Sequence, residues 1–226
     1  RQTRAPHFLA PLFRYLAARE ARDLRVLEVG CSSGHITEYL ADRPEVAAVH
    51  AFDTDPTFVE ITRAKVEELR LPRVGEVVHL SAETTRRLPW GDGLFDLVLA
   101  IGVVEHLPLR TRRAQVDEYY RVLAPGGVIA ILDTPNRWFP VETHSVGLPL
   151  VQWLPAPLAY GYARALRPVR YRNVPYAEFV ADGTGWRNAS IRDCLPAAGW
   201  AAIEDLTEAA GYGWTFFRDT ARTRRR

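Results

Sequence analysis

The stretch RVLEVGCSSG, residues 25–34, decides the fold class of this chain. It joins a short apolar strand, Arg25–Val29, to a turn bounded by Gly30 and Gly34. Glycine in such a turn lets the backbone bend tightly and lets a ligand approach the main chain. The helix predicted to begin at His35 would offer free backbone N–H groups in its first turn. The stretch therefore predicts a ligand-binding strand–turn–helix unit.

Strands and helices alternate on either side of this turn. The predicted later strands are Val46–Phe52, Glu76–Leu80, Phe95–Ile101 and Val128–Leu132, and the predicted helices are 8–16, 35–40, 55–69 and 112–123. The first helix is predicted from apolar residues at helical spacing, and the third begins at Asp55-Pro56, with proline at its first position. On that third helix we predict that Phe58, Ile61, Val66 and Leu69 face inward. The alternation is typical of a parallel sheet with helices on both faces.

The alternation stops after the fifth strand. Residues 136–185 are rich in proline and aromatic side chains, and we predict an insertion or lid there. Residues 188–190 are predicted to cap a helix running to Ala198, followed by strands at Trp200–Leu206 and Gly213–Phe217.

The expected fold is α/β and Rossmann-like: a doubly wound, mainly parallel seven-stranded sheet with an antiparallel last strand and a lid after strand five. We predict one domain over residues 1–226, with its core at about 21–135 and 186–218.

Composition excludes several classes of protein. Of 226 residues, 47% are hydrophobic, so the chain can bury a core and is not disordered. Two cysteines cannot form a disulfide scaffold. The 29 basic and 27 acidic residues nearly cancel, which argues against a nucleic-acid partner. The most apolar stretch is short and interrupted by prolines, so we expect no stable membrane association and a cytoplasmic location. A homodimer stays open.

A carboxylate, Asp53, ends the second predicted strand. Such a group can accept two hydrogen bonds from a ribose diol, so the two strand ends predict a nucleoside site. Two kinds of cofactor compete for it. A dinucleotide fingerprint requires glycine at positions 30, 32 and 35, and this chain has Ser32 and His35 at two of them. The turn therefore favours a nucleoside cofactor without phosphates.

Four segments in order resemble the successive motifs of class I S-adenosylmethionine-dependent methyltransferases. They are Glu28–Gly34, Asp53, Phe95–Leu107 and Arg121–Gly127. The one departure is Ser32, where the usual loop has its middle glycine. After strand five, Asp133–Arg137 and Glu142–His144 resemble small-molecule and quinone-type O-methyltransferases.

The resemblance implies roles for individual residues. The turn, with Cys31 inside it, would contact the methionine part of S-adenosyl-L-methionine, and Asp53 would hold the ribose. The adenine would lie beside Thr54, and Ser81 or Glu83, between which the sequence does not choose, would lie near its amine. The implied cofactor-binding residues are Glu28, Gly30, Cys31, Ser32, Gly34, Asp53, Thr54, Ser81, Ala82, Glu83, Ile101, Gly102 and His106.

Methyl transfer from a sulfonium needs mainly alignment and, for a hydroxyl or amine acceptor, loss of a proton. Histidine is a natural base near neutral pH, and the candidates are His106 and His144. Glu105 and His106 are adjacent but have no third ligand in the sequence, so we expect no metal. We expect methyl transfer to an oxygen, or in second place a nitrogen, of a small natural product, sugar or isoprenoid/quinone. The alternatives are an RNA or protein acceptor and a non-catalytic S-adenosylmethionine-binding protein.

Overall fold

The computed structural model describes residues 5–181, 183–195, 202–205 and 213–219 of the chain. The strands are β1 (Leu24–Val29), β2 (Val46–Asp53), β3 (Val74–His79), β4 (Phe95–Ile101), β5 (Leu123–Pro135), β6 (Ala202–Asp205) and β7 (Gly213–Asp219). The helices are α1 (Ala5–Ala17), α2 (His35–Ala41), α3 (Pro56–Glu68), α4 (Arg112–Val122), α5 (Ala156–Leu166), α6 (Pro168–Tyr171) and α7 (Tyr176–Phe179).

These strands form one sheet in the order β3-β2-β1-β4-β5-β7-β6. The first five strands pair in parallel, which confirms the mainly parallel α/β prediction. β7 pairs antiparallel with both β5 and β6. The strand order reverses beside β1, so the carboxyl ends of β1 and β4 border the crevice where α/β sheets bind ligands.

Neighbouring residues of the central strands point to opposite faces of the sheet, and both faces are buried. Val26 packs into the core with α1 and α2. Leu27 packs into the other core with α4. Both side chains are fully buried, as expected for a parallel strand covered on both sides. Because helices cover both faces of the sheet, the ends of its strands are the part that a ligand can reach. The candidate site residues lie at these ends.

The inward face of α3 differs from the prediction. Phe58, Ile61 and Leu69 are exposed, whereas Val59 and Thr62 are buried. Of the four predicted inward residues, only Val66 packs against a buried cluster. Larger hydrophobic residues suggested the wrong stripe, because a small face of Val59 and Thr62 fits closely over the β1 turn.

Residues 136–185 contain α5, α6 and α7 and have a hydrophobic cluster of their own, which also includes Trp186. Tyr160, Tyr171 and Phe179 make ring contacts within it. Much of the aromatic content of the segment therefore serves internal packing. Asn136 and Ala189 form a β-bridge where the segment leaves and rejoins the sheet domain.

The predicted helix after residue 190 is a short 3-10 turn, Ile191–Cys194. Ser190 and Asp193 form the capping box that begins it. Leu195 then has extended geometry, so the turn ends before the predicted Ala198, which lies outside the described residues. The predicted tail and parts of the strand predictions at 200–206 also lie outside them. Among the described helices, none has the length and apolar content needed to cross a bilayer.

The corrected face of α3 is testable by two substitutions. Val59→Ala removes fully packed methyl groups, so it is expected to lower the free energy of unfolding by about 1–2 kcal/mol. Ile61→Ala removes an exposed side chain and is expected to change it by less than about 0.5 kcal/mol. Urea denaturation measures both values. A larger loss for Ile61→Ala than for Val59→Ala would restore the original prediction.

Candidate cofactor and active site

The turn after β1 has an unusual backbone. Gly30, Ser32 and Gly34 all have positive φ angles, at 75°, 46° and 71°. Ser32 is the residue that replaces the usual glycine, and it accepts the left-handed conformation that glycine adopts more readily. The N–H groups of Gly30 and Cys31 both donate to the carbonyl oxygen of Phe52, at 2.9 and 3.1 Å. The turn therefore rests on the end of β2.

Asp53 joins the two strand ends. Its Oδ2 accepts a hydrogen bond from the N–H of Ser32 at 2.8 Å, and its Oδ1 accepts one from the N–H of Asp55 at 3.0 Å. The side chain is largely buried. Each carboxylate oxygen retains a further lone pair for a ligand hydroxyl. The predicted ribose-binding residue thus also orders the turn, which sequence alone did not indicate.

Thr62 is a supporting residue that sequence reasoning missed. Its Oγ1 donates to the carbonyl oxygen of Ser32 at 2.8 Å. A Cβ at Gly34 would lie 3.0 Å from the same Thr62 Oγ1. α3 therefore packs directly on the turn, and only glycine at position 34 leaves enough room. A threonine three residues after Val59, on the same helical face, was the available signal.

Glu28 lies beneath the turn and is almost fully buried. Its Oε2 accepts a hydrogen bond from Thr37 Oγ1 at 2.6 Å. Burial raises the pKa of Glu28 to about 8, and the nearby Asp53 carboxylate adds to the increase. The side chain is therefore protonated over much of the neutral range in this structure. Burial likewise raises the pKa of the Cys31 thiol to about 12, which fits an unreactive filler.

A cavity of about 190 Å³ adjoins the turn. It is lined by residues 28–33, His35, Ile36, Leu99 and Ile101. The predicted adenine-side residues lie near the ends of β2 and β3. Thr54 is exposed, and its carbonyl oxygen lies 3.2 Å from His79 Nε2. Ser81, Ala82 and Glu83 follow the end of β3 after one intervening residue and lead into a 3-10 turn.

The end of β4 carries the second group of predicted residues. Gly102 has a positive φ of 62°, and the 3-10 turn Val104–His106 follows it. Glu105 is buried, and its Oε2 accepts a hydrogen bond from Thr134 Oγ1 at 3.1 Å. Its Oε1 has no partner among the described residues. Burial raises the pKa of Glu105, and the nearby His106 opposes that increase.

The two predicted histidines touch each other. His106 Nε2 lies 3.0 Å from His144 Nε2, and His106 Nδ1 lies 2.6 Å from the carbonyl oxygen of Gly183. A Cβ at Gly185 would lie 3.1 Å from both rings, so a glycine is required beside the pair. Partial burial and the neighbouring His106 lower the pKa of His144. Residues 38 positions apart in the sequence are therefore in direct contact.

Glu142 holds the loop that presents His144. Its carboxylate is fully buried and accepts hydrogen bonds from the backbone N–H groups of residues 144–147. Four donors on one carboxylate compensate its desolvation and fix the loop. Sequence resemblance singled out the Glu142–His144 segment but gave no reason for the glutamate. On the other side of the pair, buried Arg112 donates to the carbonyl oxygens of Glu105, Leu107 and Asn188.

Glu105, His106 and His144 also form a group that could hold a metal. Each offers one ligand atom, and these atoms lie within 4.8 Å of one another. The sequence argument against a metal relied on the lack of a third ligand, and the structure supplies His144 as that ligand. Two imidazoles and one carboxylate are a donor set that divalent transition metals accept.

A second cavity, of about 140 Å³, lies beside the histidine pair. Glu105, Gly183 and Gly185 border it on the side of the pair. Apolar side chains and two arginines form other parts of its wall; they are Leu107, Leu109, Ala156, Val180, Trp186, Arg112 and Arg187. The cavity is thus formed jointly by the β4 loop and by the segment after β5.

A parallel sheet with a glycine-bounded turn after β1 and a carboxylate at the end of β2 defines a class of nucleoside-cofactor enzymes. Comparison with known proteins identifies the family. Residues 26–127 match the family model of a methyltransferase domain.

Two curated relatives and one solved structure illustrate the similarity. Trans-aconitate 2-methyltransferase of Methylobacterium radiotolerans is 30% identical, over 82% of this chain and 67% of that protein. Ubiquinone biosynthesis O-methyltransferase of Xanthomonas oryzae pv. oryzae is 35% identical, over 58% of this chain and 52% of that protein. A SAM-dependent methyltransferase structure from Aquifex aeolicus has the same fold, with a TM-score of 0.55, 16% identity, and coverage of 96% and 92%.

The chain belongs to the class I S-adenosylmethionine-dependent methyltransferases. It spans about half the length of most of the curated relatives it matches. S-adenosyl-L-methionine is the cofactor of this family, and the turn suits it. The Asp53 carboxylate lies against the turn, and a negative charge there favours a cationic ligand and disfavours a pyrophosphate.

The buried Glu28 predicts a particular pH dependence of stability. Its folded pKa of about 8 lies above the ordinary value of 4.5, so its stabilising contribution is complete below pH 4.5. The contribution is lost as pH rises towards about 8, at roughly 1.4 kcal/mol per pH unit. Urea unfolding of Glu28→Gln between pH 5 and 8 is expected to show a smaller decline than the parent protein.

Glu60→Gln, on the exposed face of α3, is the matched control and is expected to follow the parent protein. If the parent, Glu28→Gln and Glu60→Gln decline in parallel, Glu28 does not carry the raised pKa.

Proposed function

We propose that this protein transfers the methyl group of S-adenosyl-L-methionine to an oxygen of a small organic acceptor. The observation that carries the proposal is the placement of the His106–His144 pair beside both Gly102 at the end of β4 and a cavity. A nitrogen is the second choice of acceptor atom. Natural products, sugars and isoprenoid or quinone compounds are the proposed acceptors, and the apolar part of the cavity wall favours the aromatic and isoprenoid members of this group.

In this proposal the turn and the strand ends hold the cofactor. Glu28, Gly30, Cys31, Ser32 and Gly34 surround the methionine part. Asp53 accepts the ribose hydroxyls through its remaining lone pairs, and Thr54 lies beside the adenine. The adenine amine lies towards the segment Ser81–Glu83, and Ile101, Gly102 and His106 border the transferable methyl group.

The sulfonium of the bound cofactor supplies an activated methyl group. The protein then has to align the acceptor and remove its proton. The hydrogen bonds assign the tautomers of the two histidines. The Gly183 carbonyl oxygen only accepts, so His106 carries its proton on Nδ1 and accepts through Nε2. His144 then donates from Nε2, and its Nδ1 keeps a lone pair.

His144 Nδ1 is therefore the proposed base. It takes the proton of the acceptor hydroxyl while the oxygen forms its bond to the methyl carbon. The lowered pKa of His144 keeps the ring neutral at neutral pH and ready to accept that proton. The resulting imidazolium keeps its hydrogen bond to His106, which positions His144. The carboxylates of Glu142 and Asp133 favour the protonated ring.

We further propose that residues 136–185 act as a lid on a single domain, whose core is formed by about 21–135 and 186–218. Support comes from the second cavity, because the segment contributes Ala156, Val180 and Gly183 to its wall. A lid of this kind would exclude water from the reacting groups. The segment also supplies His144, so the proposed base is brought to the core by the lid.

An acceptor screen tests the proposal. The full chain is incubated with S-adenosyl-L-methionine and with phenols, carboxylic acids such as trans-aconitate, or primary amines, and formation of S-adenosylhomocysteine is measured. Turnover of a phenol or carboxylate above the acceptor-free rate is expected. Turnover of amines alone would move the acceptor atom to nitrogen. Tight cofactor binding with no turnover of small acceptors, but turnover of RNA or protein, would overturn the proposal.

Asp53→Ala is expected to weaken S-adenosylhomocysteine binding by about 1–3 kcal/mol, because it removes hydrogen bonds made by a charged group. It also frees the N–H of Ser32, so the turn loses a constraint. Isothermal titration calorimetry measures the affinity. Asp55→Ala is the control, since Asp55 caps α3 through Thr57 and is expected to affect stability but not affinity. Equal affinities for Asp53→Ala and the parent would refute the assignment.

The base assignment predicts a measurable titration in the free protein. The imidazole of His144, followed by NMR, is expected to titrate below its ordinary value of 6.5, because the ring is partly buried and lies against His106. His144→Ala is expected to lower turnover by roughly 10²–10⁴-fold while cofactor affinity is retained.

The same experiments distinguish proton transfer from metal binding at Glu105, His106 and His144. Under the proposal, a chelator leaves turnover unchanged, and the rate rises with pH through the pKa of His144. Turnover that disappears with the chelator and returns with a divalent cation would replace the base assignment with a metal site.

A further inference from the structure

Three arginines lie close together where residues 136–185 rejoin the sheet domain. Arg137 donates from Nε to the carbonyl oxygen of Arg187 at 3.1 Å, and Arg112 donates from Nη1 to the carbonyl oxygen of Asn188 at 3.1 Å. Two guanidinium groups therefore converge on consecutive carbonyl groups, and the third guanidinium group is the side chain of Arg187. We call Arg112, Arg137 and Arg187 the arginine cluster.

The arginine cluster has few negative charges around it. Asp193 Oδ2 lies 3.5 Å from Arg112 Nη1, but the same oxygen also accepts hydrogen bonds from the N–H and the Oγ of Ser190. Neither Arg137 nor Arg187 forms an ion pair with another residue that the structure describes. Partly buried cations are normally paired with an anion, because removing a charge from water is costly. The cluster therefore has positive charge that a bound anion would compensate.

The pKa values of two members show that the three charges act on one another. Partial burial and the positive charge of Arg137 lower the pKa of Arg187. Burial also lowers the pKa of Arg112, where Asp193 opposes the decrease and Arg137 adds to it. Because like charges repel, holding these guanidinium groups together costs free energy, and an anion bound among them recovers part of that cost.

Two members of the cluster, Arg112 and Arg187, line the cavity beside the histidine pair. The guanidinium carbon of Arg187 lies 4.2 Å from the centre of the Trp186 ring, and Trp186 is a buried part of the same cavity wall. Stacking on an aromatic ring restrains an arginine but leaves the N–H groups in its plane able to bind an anion. Arg112 already donates to three carbonyl oxygens. Arg187 is therefore the member best placed to bind a ligand.

We propose that the arginine cluster binds an anionic group of the methyl acceptor, either a carboxylate or a phosphate ester, through Arg187. The proposal rests on the proposed function, because it assigns a subsite to the acceptor of that reaction. The anionic group is distinct from the oxygen that takes the methyl group. That oxygen lies at His144 Nδ1, whereas the anionic group lies at the guanidinium of Arg187 and accepts hydrogen bonds from it.

The rest of the cavity wall indicates what the anionic group is attached to. Leu107, Leu109, Ala156 and Val180 contribute apolar side chains. The cavity has a volume of about 140 Å³, and an apolar cavity of about 150 Å³ holds a benzene ring. The acceptor therefore has a small aromatic or short aliphatic body that carries both a hydroxyl group and an anionic group.

Calorimetry on the full chain saturated with S-adenosylhomocysteine tests the subsite without requiring methyl transfer. The probes are 4-hydroxyphenylacetate, its neutral amide 4-hydroxyphenylacetamide, and 4-hydroxyphenyl phosphate. We expect at least one anionic probe to bind roughly tenfold or more tightly than the amide, because only the anion gains a charge-assisted hydrogen bond. Comparison of the carboxylate with the phosphate shows which of the two anions the cluster prefers.

Substitution of Arg187 is expected to remove this preference. In Arg187→Gln, affinity for the anionic probe is expected to fall roughly 10- to 100-fold, while affinity for the amide stays unchanged. Arg187→Lys keeps the charge but loses the planar pair of donors, so an intermediate loss is expected. Arg164→Gln is the matched control, because this exposed arginine also lies over a tyrosine ring but is outside the described lining of the cavity. Unchanged affinity for S-adenosylhomocysteine shows that each variant is folded.

Three results would overturn the subsite. The first is equal affinity of the parent protein for the anionic probes and the amide. The second is an equal loss of anion binding in Arg187→Gln and Arg164→Gln. The third is a preference for anions that appears only in Asp182→Asn, a position outside the described residues, because a carboxylate of the chain would then be the partner of the cluster.

Failure of the proposed reaction gives a different result. If the anionic probes bind through Arg187, but S-adenosyl-L-methionine is consumed no faster with them than without an acceptor, the subsite is supported and the proposed methyl transfer to such hydroxyl groups is wrong. If only the neutral amide is methylated, and Arg187→Gln methylates it at the parent rate, the subsite is wrong and the proposed reaction is supported.

Discussion

The hydrogen bond from the N–H of Ser32 to Asp53 Oδ2 is the interaction on which the cofactor site depends. It joins the turn after β1 to the end of β2 and holds a serine in a conformation that favours glycine. The carboxylate compensates for this cost because a charge-assisted hydrogen bond is stronger than a neutral one. Asp53 and Thr62 therefore hold, from two sides, the serine that replaces the middle glycine.

Much of the architecture was predictable because the signals were local. A few neighbouring residues are enough to predict each of three features: the apolar strands, the glycine-bounded turn after β1, and the start of α3 at Asp55-Pro56. Alternating strands and helices predict a parallel sheet. The residues that follow its strands must then lie close together, because the carboxyl ends of parallel strands share one edge. The cofactor side of the candidate site could therefore be proposed from the sequence without knowledge of any long-range contact.

The features that the sequence predicted wrongly or missed depend on contacts between residues that are far apart in the chain. The buried face of α3 depends on the shape of the turn that it covers, and Thr62 fits there while Ile61 does not. The third residue of the Glu105–His106 group comes from a loop beyond β5, so no spacing rule could supply it. The role of Glu142 depends on four backbone donors that converge only when its loop is folded. Each omission involves contacts made by tertiary structure.

The two histidines of the proposed active site come from different parts of the chain, and different contacts hold each part in place. His106 belongs to the turn after β4, which buried Arg112 ties to Asn188, just beyond the 136–185 segment. His144 belongs to the insertion, whose loop is fixed by Glu142 and whose helices have a separate hydrophobic cluster. The 3.0 Å contact between the two imidazoles is thus also a contact between the insertion and the sheet domain. The geometry of the proposed base therefore depends on how the 136–185 segment packs against the end of β4.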